Sequence, residues 1–140
     1  MKIGFLLSGM LCLLAGCTGR GPANGWYFIT DGETNAYDPY PIVTAADFGA
    51  LRIDSVPEAD GSMTYVIAGR VKAGRVADWA DATERATGRQ IGFLYRGRML
   101  VAPYVNARIE NGNFAIASPE LIRDREKTLD VYENLTEEMR

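Results

Sequence analysis

The chain has 140 residues, with 15 Lys and Arg against 18 Asp and Glu, and a formal charge of −3. It contains no histidine, which excludes Ser-His and Cys-His nucleophiles and removes the commonest zinc ligand and near-neutral general base. Basic and acidic residues are interspersed, so the stripe that nucleic acid requires is missing and no nucleic-acid partner is expected.

Lys2 precedes an apolar stretch over residues 3–14, broken by Gly4, Ser8 and Gly9. That stretch falls short of the roughly 20 residues a membrane span needs. Leu14-Ala15-Gly16-Cys17 then reads as a bacterial lipobox. The expectation is a signal peptide over residues 1–16, cleavage between Gly16 and Cys17, and lipid on the Cys17 thiol. Two acyl chains, at about 0.8 kcal/mol per buried methylene, hold a protein stably on a membrane. Thr18, rather than aspartate, follows the cysteine, and by analogy with sorting in enteric bacteria this favours the outer membrane over the inner. The expected location is the periplasmic face of the cell envelope, with the membrane as one partner through the lipid and no other cofactor. Cleavage also removes Cys12, so no disulfide forms within the mature chain and stability rests on packing.

Residues 17–25 form a lipidated, flexible Gly/Pro-containing tether, and residues 26–140 form one domain. Trp26 to Thr30 reads as a strand ended by the Asp31-Gly32 turn, followed by a loop with Tyr37, Pro39, Tyr40 and Pro41. Leu51 to Val56 mostly alternates apolar and polar residues, and Met63 to Val71 supplies the second arm of a hairpin lengthened by Pro57. Gly74 to Gly88 has helical spacing, with Val76, Trp79, Ala80, Thr83 and Ala86 on one face and an Asp81–Arg85 ion pair on the other. Gly88 ends that helix. Gln90 to Tyr95 and Met99 to Val105 are strands around Gly97, and Phe114 to Ala117 is another. Ser118 with Pro119 and Glu120 signals the start of a last helix, whose stripe is Ile122, Leu129, Tyr132 and Leu135. The order implies an α+β fold, a mainly antiparallel sheet with two helices packed on one face.

From about Pro41 to Leu135 several motifs recur in one order: Pro41-Ile42-Val43-Thr44 with Asp47, Tyr65-Val66-Ile67, Ala82-Thr83, and Gly88-Arg89-Gln90-Ile91. Leu94 to Pro103, Ile109-Glu110-Asn111-Gly112-Asn113 and Ile116 complete the set. In these motifs the chain resembles the head subdomain of the large periplasmic domain of SecD, the translocon accessory protein. The resemblance implies a SecD-head-like fold and a capacity to contact extended chains. It departs from the family at Ala117-Ser118, where a Gly is usual. SecD couples proton movement to export through membrane-spanning helices, and no such span is expected in the mature chain.

No catalytic or metal-ligating constellation is legible. Ser55, Ser62 and Ser118 lie outside any nucleophile-elbow pattern, and Asp78, Asp81 and Glu84 read as a solvated helix face. Asp54, Glu58 and Asp60 lack the calcium-loop spacing and read as a turn. The candidate protein-contact residues are Trp26, Tyr27, Tyr37 and Tyr40, with Arg96 and Arg98 at the Gly97 tip. Aromatics offer rigid contact area, although the same cluster also reads as a strand and loop packed on the domain edge. The first functional expectation is a lipid-anchored, non-enzymatic interaction module whose partner is an exported polypeptide or an envelope protein. The alternatives are a hydrolase or small-molecule binder built on carboxylates such as Asp47 or Asp54, and a lipoprotein that only tethers.

Overall fold

The computed structural model describes residues 21–140, so the lipobox, Gly16 and Cys17 lie outside the described residues. The strands are β1 (Gly25–Asp31), β2 (Ala36–Tyr37), β3 (Val43–Thr44), β4 (Phe48–Pro57), β5 (Met63–Val71), β6 (Ile91–Tyr95), β7 (Arg98–Val101) and β8 (Asn113–Ile116). The helices are α1 (Val76–Arg85) and α2 (Arg125–Glu138), with single 3-10 turns at Ala45–Asp47 and Ala73–Arg75. The fold is α+β and its strand ladders are antiparallel, as expected.

The strands divide between two sheets rather than forming one. A five-stranded sheet runs β2-β1-β6-β7 with β3 also on β1, and a three-stranded sheet runs β4-β5-β8. In the smaller sheet Ile53, Ile67 and Ile116 fall in one cross-strand row, and Leu51, Gly69 and Phe114 in the next. A Cβ on Gly69 would sit 2.4 Å from the Phe114 ring and 2.7 Å from Leu51, so the missing side chain lets those two close over the strand. The hairpin connection is Glu58 to Ser62, and Pro57 ends β4 in register with Met63.

Aromatic rings join the sheets. Trp26 of β1 meets Phe93 of β6 at 5.3 Å, Phe114 of β8 at 5.9 Å and Trp79 of α1 at 5.9 Å between centroids. Phe48 of β4 lies 4.5 Å from Phe114. The Trp26 pairs with Phe93 and Phe114 are edge-to-face, an arrangement that adds about 0.5–1.5 kcal/mol beyond the area buried. The Trp79 indole N–H donates to the Asn113 carbonyl at 2.9 Å, whereas the buried Trp26 indole N–H has no hydrogen-bond partner.

Three local expectations are corrected. The last helix begins at Arg125, capped by Asp124, whose carboxylate accepts the Lys127 N–H at 3.0 Å. Ser118 instead organises a turn: its hydroxyl oxygen accepts the Glu120 N–H, and its carbonyl accepts those of Leu121 and Ile122. The stripe of α2 is accordingly Thr128, Val131 and Leu135, with Leu129 and Tyr132 half-buried. Thr128 donates to the Leu121 and Asp124 carbonyls, tying the turn to the helix. Second, β7 ends at Val101, and the chain beyond it makes only isolated bridges at Tyr104 and Val105. Third, Asp81 and Arg85 do not pair. Arg85 lies over the Phe28 ring at 5.0 Å, and Asp81 is taken by Arg108.

Trp79→Ala is expected to cost about 3–5 kcal/mol, since it empties a site 1% exposed. The phenylalanine pair separates packing from hydrogen bonding. Trp79→Phe loses a bond that Trp26→Phe does not, so it should be the more destabilising by about 1 kcal/mol in denaturant titrations. Equal losses would remove the Asn113 bond from the account.

Candidate protein-interaction site

Of the residues read as contact surface, the structure brings only some to solvent. Trp26 and Tyr27 are each 1% exposed, which corrects their reading as surface: alternation along β1 turns Trp26 into the inter-sheet core and Tyr27 onto the opposite face. Tyr27 packs edge-on to Tyr37 at 5.2 Å and donates its hydroxyl proton to the Ala23 carbonyl at 2.6 Å. Burial, with Tyr37 adding to it, pushes the Tyr27 phenol pKa up. Tyr37 is half-buried, and Tyr40 is 80% exposed. The end of the segment read as tether is held against the domain. Asn24 donates to Glu138 at 2.7 Å and accepts the Arg96 N–H at 2.7 Å.

The basic tip is built by its backbone. Arg96 and Gly97 both have positive φ, 51° and 80°, the pair of conformations that closes a two-residue hairpin between Tyr95 and Arg98. Arg96 lies over the Tyr95 ring at 5.3 Å, and Arg98 reaches the Glu120 carboxylate. Tyr40 and the two arginines therefore do not form one patch: Tyr40 lines a hollow with Arg75, Asp78 and Arg85, while Arg98 lines another with residues of α2.

The second hollow is the better candidate for a contact site. It is a groove of about 430 Å³ between β7 and α2. Tyr95, Leu100, Leu121 and Val131 form its apolar floor, and Arg98, Glu120, Glu126, Lys127 and Asp130 its charged rim. β7 is the terminal strand of its sheet, so among the described residues no strand pairs beyond it. The groove thus presents an unpaired strand edge beside apolar pockets, the two elements that strand-adding recognition of an extended peptide uses. Sequence reasoning found Arg98 but missed Leu121, Lys127 and Asp130, because the expected helix start at Ser118 ran the chain across the place where the groove opens.

The carboxylates considered for chemistry have structural partners. Asp47 accepts the Thr44 N–H at 2.8 Å and lies 3.6 Å from the Arg75 guanidinium. Asp54 pairs with Arg52 at 2.8 Å. Asp60 closes a turn, and the Ser62 hydroxyl and N–H lower its pKa. Asp81 and Glu84 both receive Arg108, at 3.0 and 2.6 Å, and Glu110 receives it at 2.9 Å. These bonds, Asp81 first and Glu84 next, raise the Arg108 pKa further above its ordinary value. Arg108 was not legible as a partner, since 27 positions separate it from Asp81. No helix among the described residues is long and apolar enough to cross a membrane.

No family model and no curated protein matches the sequence. Two solved structures do. The structure described as that of a membrane component, SecDF, that enhances protein export is 13% identical, with a TM-score of 0.63 over 96% of this chain and 71% of that one. The crystal structure of SecDF in a super-membrane-facing form is 20% identical, with a TM-score of 0.48, and covers 56% of this chain. The chain spans about 10% of that protein's length. The likeness is one of fold: the domain is SecD-head-like in architecture, as the sequence resemblance implied.

Arg108→Ala leaves three exposed carboxylates without their shared cation. The expected loss of stability is small and shrinks as salt is raised, because the cluster is solvated. Thermal melts at low and high ionic strength measure it, and a loss independent of salt would mean that the side chain acts by packing.

Proposed function

We propose that the protein is a lipid-anchored, non-enzymatic module of the bacterial envelope that contacts exported polypeptides through the β7–α2 groove. The observation that carries the reading is the juxtaposition of an unpaired strand edge with the apolar floor of Leu100, Leu121 and Val131. An extended chain laid along β7 satisfies its backbone on the edge and drops alternate apolar side chains into the groove, a recognition that needs no defined sequence. The mixed charge of the rim, with Arg98 and Lys127 among Glu120, Glu126 and Asp130, suits clients of either sign.

The lipobox ending in Cys17 supports attachment to the membrane, and Thr18 favours the outer one. The fold likeness to SecDF, a membrane component that enhances protein export, supports export as the setting. A lipid anchor on the periplasmic side would hold the groove in the compartment that exported chains enter.

A photo-activatable amino acid at position 98, in intact cells, tests the assignment against the same group at the exposed Glu33 position. Many different exported chains should be captured from position 98 and few from 33. Capture of one defined envelope complex would make the protein an assembly component, and capture of nothing would end the reading. A chain secreted by an ordinary cleavable signal peptide with Ser in place of Cys17 should enter the soluble periplasmic fraction and give fewer cross-links.

A further inference from the structure

The other sheet also ends on an open edge, and its sequence is self-complementary. β4 pairs only with β5 among the described residues, leaving no strand on its far side along residues 50–57. The register fixes which groups face outward. The Tyr65 and Val71 N–H groups of β5 point away from β4, to Ile122 and Gly112. The even-numbered residues of β5 therefore serve β4, and through the Ala50↔Arg70, Arg52↔Ala68 and Asp54↔Val66 pairs so do the even-numbered residues of β4. Leu51, Ile53 and Ser55 are left with their backbone N–H and C=O directed to the open edge. A long unpaired edge of this kind is a template for another strand.

We propose that the chain forms a two-fold dimer by antiparallel pairing of β4 with β4 of a second copy, centred on Ile53. In that register Ile53 meets Ile53, and Leu51 meets the second copy's Ser55, all with outward-facing backbone groups. Arg52 then stands opposite the second copy's Asp54, and Asp54 opposite its Arg52, in the non-hydrogen-bonded positions where cross-strand side chains come closest. Arg52 and Asp54 already pair within one chain at 2.8 Å, so the four charges close into an alternating ring. Ala50 stands opposite Val56, an apolar side chain 48% exposed in the single copy. The pairing ends where it must: Gly49 lies in the bulge between Phe48 and Ala50, and its opposite number Pro57 has no N–H to give. The charge order, the exposed valine and the two terminators all favour a second copy over an unrelated strand as the occupant. The result is one continuous sheet running β8-β5-β4-β4-β5-β8 across the dimer.

The test uses the full-length chain in intact cells, carrying both Ala50→Cys and Val56→Cys. Mild oxidation should give a reducible dimer that the unsubstituted chain does not form, since the two positions face each other across the interface. In that background Arg52→Asp or Asp54→Arg alone should lower the dimer yield about tenfold, by placing like charges opposite one another. The combined Arg52→Asp/Asp54→Arg exchange should restore it. Both side chains are exposed, and an unchanged melting curve for each variant separates a lost interface from a lost fold. Absence of the dimer, a dimer indifferent to the charge exchange, or cross-linking of positions 50 and 56 to a different protein would each overturn the proposal.

Discussion

Rings from five separate elements, Trp26, Phe48, Trp79, Phe93 and Phe114, meet between the two sheets, and the rest of the domain is positioned by that contact. No strand of one sheet pairs with a strand of the other, so apart from the short turn that joins β3 to β4 their relative placement depends on side-chain packing. The described residues contain no cysteine, so no disulfide among them substitutes for this contact. The cluster also spans the sequence from β1 to β8, so it forms only when the whole chain has closed. Its cost is visible in the Trp26 indole, buried without a hydrogen-bond partner, which the surrounding rings offset.

Much of this was legible in the sequence. Met63–Val71 carries the alternation and β-branched content of a strand and is one residue for residue. Trp79 falls on the apolar face of its helix and into the core as helical spacing requires. The division into two sheets was not legible, because periodicity assigns a face to each strand but says nothing of which strands share hydrogen bonds. The start of the last helix was misread because Ser118-Pro119-Glu120 and Asp124 both carry a capping signal. Tertiary packing chose the second: Leu121 is buried, and the Thr128 hydroxyl takes its carbonyl. Trp26 and Tyr27 show the converse case, where aromatic content alone suggested a surface and strand alternation put one ring on each covered face.

The candidate contact site was harder to see for the same reason. The groove exists because the chain turns between Ser118 and Asp124 instead of continuing as helix, leaving space between β7 and α2. Arg98 could be singled out because a Gly turn flanked by charges predicts an exposed tip. Leu121, Lys127 and Asp130 could not, since their role depends on a boundary that two competing caps obscured. Arg108 illustrates the limit in another form: two of its three carboxylates, Asp81 and Glu84, come from a helix far away in sequence, and local patterning reaches only Glu110. The two sheets thus end on two exposed edges of different character, β7 beside an apolar groove and β4 beside an ordered pair of charges.

The most direct measurement is backbone-amide NMR of the non-lipidated chain from Thr18 onward, titrated with a reduced and carboxymethylated secretory protein that stays unfolded. The account predicts shifts concentrated on Arg98–Val101, Leu121 and the first two turns of α2, with the aromatic core undisturbed. Shifts confined to the Tyr40 loop, or none at all at saturating polypeptide, would contradict it.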